Sequence, residues 1–303
     1  MSAPDGLRPP SPFDPSAGAY KDWLHLNVLD HESGIVGLVN LSLHGDPGDE
    51  RSRALGTALF HVPDAGWVGN VEVRGISEAA LGPASIGLEQ TGLAVHGGGT
   101  VLASARFPDD ELVVELTATA AVPPIDVEER MPLSSGWVSW YVISRLAVSG
   151  VASVSGRRLD LGRASAYHDH NWGRWHWGEG VRWEWGCFLA PAPGPAFVLG
   201  RTRDSRHRIP EEPVLIVHFA GRRRTFRAAA VEIGFSGVLE RRPRRLPGAL
   251  AALHQDRTEP RLPRTLGVRA DDGRDRVELE FTARAAAQVI AGDPVKPGYG
   301  FIH

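Results

Sequence analysis

The stretch Leu112-Val113-Val114-Glu115-Leu116-Thr117-Ala118 alternates from side to side. In an extended chain Leu112, Val114, Leu116 and Ala118 share one face, and Val113, Glu115 and Thr117 share the other. The period of two and the β-branched content predict a half-buried strand rather than a helix. Similar runs, separated by Gly, Pro and Asp, occupy 23–29, 34–43, 55–62, 71–76, 86–95, 100–107 and 111–122. The style repeats at 139–148, 157–167, 181–190, 196–204, 214–219, 222–229, 231–235, 265–270, 277–283 and 287–290. Short strands at turn-marked spacing predict an all-β barrel or sandwich. One helix is expected, at 246–255, Ala-rich after Pro247.

A chain of 303 residues with 42% apolar content can fill real cores, which excludes a wholly disordered protein. Two barrels of roughly 140 residues each divide it naturally. The expected boundaries are a flexible, proline-rich leader at 1–18, an N-terminal barrel at 19–178 and a C-terminal barrel at 179–303. A formal net charge of −3 offers no overall field for nucleic acid. Residues 222–269 hold twelve arginines against four acids, but aromatic residues are sparse among them, so the stretch reads as a solvated surface.

Cys187, the single cysteine, allows no internal disulfide and no cysteine-based zinc site. The start lacks the basic end and apolar stretch of a signal peptide, and no apolar run approaches the roughly 18 residues that span a bilayer. A soluble cytoplasmic protein without an integral membrane segment is expected. There is no phosphate-binding glycine loop, no Gly-x-Ser-x-Gly elbow and no Cys-x-x-Cys. Nucleotide and redox cofactors are accordingly not expected.

Tryptophan is in excess, nine against four tyrosines, and Trp172, Trp175, Trp177, Trp183 and Trp185 fall within one short segment. That segment opens with Tyr167-His168-Asp169-His170-Asn171-Trp172-Gly173. In a strand His168, His170 and Trp172 face one way, and Tyr167, Asp169 and Asn171 the other. So many titratable groups beside indoles need partners if buried, which makes the segment a site candidate. Three readings fit it. His168 and His170, with His176 or a distant histidine, could ligate a metal, but no third ligand stands at a telling spacing. Alternatively, the polar groups form a satisfied structural network. In the third reading Asp169 is an acid kept partly protonated by apolar surroundings, with indole faces stabilising the cation formed when it protonates a substrate. Only the third explains why carboxyl, imidazole and indole occur together. His168 or His170 would then set the protonation of Asp169 or deprotonate a water. Glu184, between Trp183 and Trp185, is a further candidate for the cavity, whereas Glu72 and His25 read as outward positions of half-buried strands.

The run Ala166-Tyr167-His168-Asp169-His170-Asn171-Trp172-Gly173, followed by a Trp-rich strand, resembles the Tyr-x-Asp-His-Asn-Trp-Gly signature of the carotenoid 1,2-hydratase (hydroxyneurosporene synthase) family. The likeness extends loosely from Tyr20 to the C-terminus and includes Gly298-Tyr299-Gly300-Phe301. It implies two lipocalin-like antiparallel β-barrels packed side by side, with few short helices. It also implies a lyase or isomerase of bacterial terpenoid or other secondary metabolism that uses neither metal nor cofactor. Such hydratases add water across an isoprenoid double bond with an acidic residue as proton donor, and Asp169 matches that position. Tyr167, His168 and His170 join it as catalytic candidates; Asn171, Trp172, Trp175, Trp177, Trp183, Trp185 and Glu184 are the candidates for binding a hydrophobic substrate. Relatives of that build include tocopherol cyclases and natural-product cyclases, some pericyclic. A pericyclase that only shapes a polyene, or a non-catalytic carrier of a hydrophobic small molecule, are the alternatives.

Overall fold

The computed structural model describes residues 5–11, 13–133, 136–176, 181–204, 212–239, 263–283, 288–291 and 299–302. The alternating runs form antiparallel strands, and the only helical elements among the described residues are short 3-10 turns. No helix is long and apolar enough to cross a membrane among these residues. The helix expected at 246–255 lies outside them. Two compact units divide the chain, Met1–His176 and Trp177–His303.

The first unit contains β1 (Tyr20–Asp30), β2 (Ile35–His44), β3 (Arg53–Val62), β4 (Gly66–Gly75), β5 (Ala80–Gly82), β6 (Ser85–Gly87) and β7 (Thr91–His96). It continues with β8 (Thr100–Phe107), β9 (Leu112–Ala120), β10 (Ile125–Leu133), β11 (Gly136–Val154), β12 (Arg157–Asp160) and β13 (Ser165–Arg174). These strands build one curled sheet in the order β4-β3-β2-β1-β13-β11-β9-β8-β7-β6-β5, with β10 and β12 paired to β11. Most sheet neighbours are also chain neighbours. One non-local pairing positions the site: β13, the last strand of the first unit, lies between β1 and β11.

Leu112, Val114, Leu116 and Ala118 point into a single core with Leu24, Leu26, Val28 and Phe60, as the alternation predicts. The long β11 runs unbroken through Val154, past the end expected at 148, and the single strand expected at 157–167 is divided between β12 and β13. Ser155 and Gly156, at φ 50° and 74°, then turn the chain back into β12. Gly150 makes the passage beside β9: at φ +125° a Cβ there would lie 2.2 Å from the carbonyl oxygen of Glu115, so only glycine fits.

Glu72 draws the two ends of the sheet together. It lies on β4, at one end of the strand order, and its Oε2 accepts hydrogen bonds from the Gln90 amide and the Thr91 hydroxyl, each at 3.0 Å, beside β7 near the other end. Arg74 completes the link, 3.1 Å from Oε1 of Glu72 and paired also with Glu89. Glu72 is thus buried rather than outward-facing, because curling the sheet covers a position that a flat sheet would expose.

The second unit contains a four-stranded antiparallel sheet of β14 (Val181–Leu189), β15 (Ala196–Asp204), β16 (Val214–Phe219) and β17 (Arg222–Arg227). A three-stranded sheet follows, β18 (Val231–Ser236), β19 (Thr265–Asp271) and β20 (Arg276–Thr282), then the pair β21 (Gln288–Ala291) and β22 (Tyr299–Ile302). Leu199, Leu215, Phe226, Val231 and Val268 form a core between the two larger sheets. Phe188 stacks on Phe281 within the same unit. Arg222, Arg223 and Arg227 are exposed on β17.

Replacing Glu72 by Ala strands the Gln90 amide and leaves Arg74 with Glu89 alone, and should destabilise the first unit by about 3 kcal/mol. Glu72→Gln, which keeps an acceptor oxygen, should lose less. Urea denaturation followed by circular dichroism measures both, and equal midpoints for wild type and Glu72→Ala would refute the closing role.

Candidate active site

Pairing of β13 with β1 and β11 decides which signature residues meet. His168 lies opposite Leu26 and Ile143, and His170 opposite Leu24 and Tyr141, so both imidazoles face the core of the first unit. Asp169 lies opposite His25 and Val142, and Asn171 opposite Trp23 and Trp140, on the other face. Residues 165–170 are all buried, so neither face of the strand is open to water.

On the outer face, the Tyr167 hydroxyl donates to Oδ2 of Asp169 at 2.8 Å, and Nδ2 of Asn171 donates to Oδ1 at 2.9 Å. The Trp140 indole also bonds this carboxyl group. Burial pushes Asp169 up to about 6, against the pull of the Tyr167 and Trp140 hydrogen bonds and of the charges of His168 and His170. Desolvation therefore wins over three donors' worth of stabilisation, and the group can hold a proton close to neutral pH.

Beside Asp169 the same face continues into side chains that the reading of the strands as half-exposed had passed over. His25 is buried between two carboxamides, 2.7 Å from Nδ2 of Asn27 and 3.2 Å from Nδ2 of Asn40. Trp23 meets Trp175 edge to face with centroids 5.3 Å apart, and the buried Lys21 ammonium lies 5.8 Å from the Trp175 ring. The alternation Leu24-His25-Leu26-Asn27 told which way His25 and Asn27 point. It did not tell that the outer face is itself buried.

The inner face carries a second polar cluster. Asp22 accepts from the Tyr20 hydroxyl at 2.5 Å and from the Arg8 amide at 2.8 Å on Oδ2, while its Oδ1 lies 2.8 Å from Nε2 of His170. Burial, followed by the Asp22 charge, pushes the Tyr20 hydroxyl well above its ordinary range. Nδ1 of His170 is buried and has no hydrogen-bond partner among the described residues. Nε2 of His168 lies 3.1 Å from Asp5. Trp172 is half-buried on this inner face, 4.6 Å from the His170 ring and 5.3 Å from the Arg8 guanidinium. Asp5 and Arg8 belong to the stretch read as a flexible leader; here they are bonded into the first unit because its interior imidazoles and carboxylate need partners.

Of the candidates, then, Tyr167, Asp169 and Asn171 come together, with Trp175 further along the same side. His168, His170 and Trp172 form a separate group behind them. Glu184, on β14 of the second unit, is paired with Arg201, whose Nε lies 2.8 Å from Oε2. Trp185 is half-buried on that strand, the Trp183 side chain is outside the described residues, and Trp177 lies wholly outside them. No cluster of three or more His, Cys, Asp or Glu is placed to hold a metal among the described residues.

No protein-family model matches the chain. No curated protein sequence matches it either. Solved structures do. A protein from Nitrosomonas europaea with the provisional designation AttH superposes with a TM-score of 0.67 at 14% identity, covering 98% of both chains. Kievitone hydratase from Nectria haematococca gives 0.58 at 12% identity, over 98% of this chain and 92% of that one. CghA, solved with Sch210972, gives 0.58 at 13% identity, over 93% and 81%. The chain shares with these proteins an all-β, lipocalin-like fold.

Proposed function

We propose that the chain is a cofactor-independent hydratase or cyclase that protonates an alkene of a hydrophobic isoprenoid or polyene natural product, with Asp169 as the acid. The observation that carries this reading is a carboxyl group, buried and bonded by Tyr167 and Asn171, whose acidity burial brings to about 6. The Tyr-x-Asp-His-Asn-Trp-Gly resemblance supports it independently, as does a fold shared with a protein named for a hydratase activity.

The hydrogen bonds suggest where the proton sits. Nδ2 of Asn171 can only donate, so Oδ1 of Asp169 is the carbonyl-like oxygen and Oδ2 carries the hydrogen. The Tyr167 hydroxyl, which donates to Oδ2 when Asp169 is ionised, can rotate to accept from it when Asp169 is protonated. Transfer breaks the Oδ2–H bond and makes a C–H bond with the alkene π electrons, leaving a tertiary cation. Water then adds and releases a proton that restores Asp169, or a second double bond of the same molecule attacks and a later proton loss restores it. Indole faces stabilise such a cation by about 0.5–2 kcal/mol each, and Trp23, Trp140 and Trp175 lie on this side of the sheet.

With the ligand captured from the native protein by mass spectrometry as substrate, Asp169→Asn should lower turnover by about 100-fold or more while changing affinity little. In deuterated water each product should gain one carbon-bound deuterium. Full activity in Asp169→Asn sinks the acid role; binding without turnover leaves a carrier, and turnover without deuterium leaves a pericyclase.

Since the protonated form is the active one, the rate should fall as pH rises through about 6. The Tyr167 hydrogen bond lowers the Asp169 value, so Tyr167→Phe should move that fall to higher pH. An unmoved profile would remove Tyr167 from the site.

Stability gives a check that needs no substrate. A carboxyl group raised from 3.8 to about 6 favours the folded state fully below its unfolded value, and that contribution is lost as pH rises through the folded one. Asp169→Asn should therefore gain stability over wild type between pH 4 and 7, on the order of 2–3 kcal/mol at the upper end. Parallel stability curves across that range would show that Asp169 is not held in the protonated form by the fold.

A further inference from the structure

The His168 ring points into the core of the first unit, away from Asp169, and acts on that carboxyl group only through its charge. Its Nδ1 lies 2.9 Å from the carbonyl oxygen of His25, and its Nε2 lies 3.1 Å from Oδ1 of Asp5. A carbonyl oxygen only accepts, so Nδ1 carries a hydrogen. Were Nε2 bare and Asp5 ionised, two acceptors would face each other in a site closed to water, which is strongly unfavourable. One proton must therefore lie in the Asp5–His168 contact. Tyr141 bonds the same carboxyl group, and burial together with the Asp5 charge pushes its hydroxyl above the ordinary range.

An imidazole and a phenol thus converge on one carboxyl group, with Leu26 and Ile143 flanking His168 on the neighbouring strands. That carboxyl group comes from a segment with no strand or helix of its own, 163 positions away in the chain. Two backbone amides tie the segment down, that of Leu7 donating to the Pro83 carbonyl and that of Arg8 to Oδ2 of Asp22, each at 2.8 Å. Leu7 packs against the surrounding core. Acid group, apolar neighbour and apolar walls together have the form of a short carboxylic acid with an aliphatic tail seated in a barrel.

We propose that His168 and Tyr141 form a carboxylate-binding site inside the first unit, that Asp5 fills it as an internal ligand, and that an aliphatic carboxylic acid competes with residues 5–8 for it. The proposal is independent of the acid role of Asp169, which lies on the opposite face of β13.

Chemical rescue tests it. Asp5→Ala should melt below wild type; formate and acetate, at ionic strength matched with chloride, should restore most of the loss along a one-site saturation curve. Wild type should show no such gain, and adding His168→Leu should abolish the rescue. Asp5→Gly, which vacates the same space, provides a second comparison. In wild type, octanoate should accelerate hydrogen exchange at the Leu7 and Arg8 amides. Formate acting no better than chloride on both Asp5 variants would overturn the site. Leu7 and Arg8 amides that stay protected at octanoate concentrations saturating Asp5→Ala would overturn the competition.

Discussion

β13 is a strand with both faces buried, and it carries a phenol, two imidazoles, a carboxyl group and an amide within five residues. Desolvating each such group costs on the order of 1–3 kcal/mol unless a partner replaces water. Much of the first unit is arranged to supply those partners. β1 provides Asp22 and the His25 carbonyl, β11 provides Trp140, and the N-terminal segment provides Asp5. Tyr167 and Asn171 serve Asp169 from the same strand.

The two faces solve this problem differently. Inside, each carboxylate is set against an imidazole, Asp22 with His170 and Asp5 with His168, so opposite charges or a shared proton offset burial. Outside, the donors named for Asp169 among the described residues, Tyr167, Asn171 and Trp140, are neutral, and the imidazole charges act through the sheet from behind. Neutral donors stabilise a carboxylate less than a directly paired cation does. Desolvation therefore prevails at Asp169, and one side chain of the strand is left with a tendency to keep its proton. The closing contacts of Glu72 with Gln90, Thr91 and Arg74 matter to this arrangement, because they hold the curl that gives the inner face its dry interior.

How much could be read in advance varied by residue for identifiable reasons. The partition of Tyr167, Asp169 and Asn171 from His168, His170 and Trp172 follows from the two-residue period alone, and the pairing of β13 realises it. The same period places His25 and Asn27 beside Asp169's face once β1 is known to be its neighbour. That adjacency joins residues 136 to 154 positions apart, from Leu29 with Ser165 to Tyr20 with Arg174, and no local pattern encodes it. Glu72 and His25 looked like solvent-facing positions, since an alternating strand with one polar side is ordinarily wet on that side. Asp5 sat in a proline-rich stretch with every local mark of a loose leader.

By itself the sequence marked most of the strands and, along β13, the facing of each side chain, because both depend on backbone geometry between near neighbours: apolar alternation, β-branching and turn residues. It also marked the segment in which carboxyl, imidazole and indole are concentrated. Which groups are dry, and which charge meets which, was decided only by the tertiary structure. Burial of the outer face, the link between Glu72 and the far end of the sheet, and the contact of Asp5 with His168 all join distant parts of the chain. The protonation of Asp169 depends on the dielectric surroundings those contacts create, and these exist only once the sheet has curled.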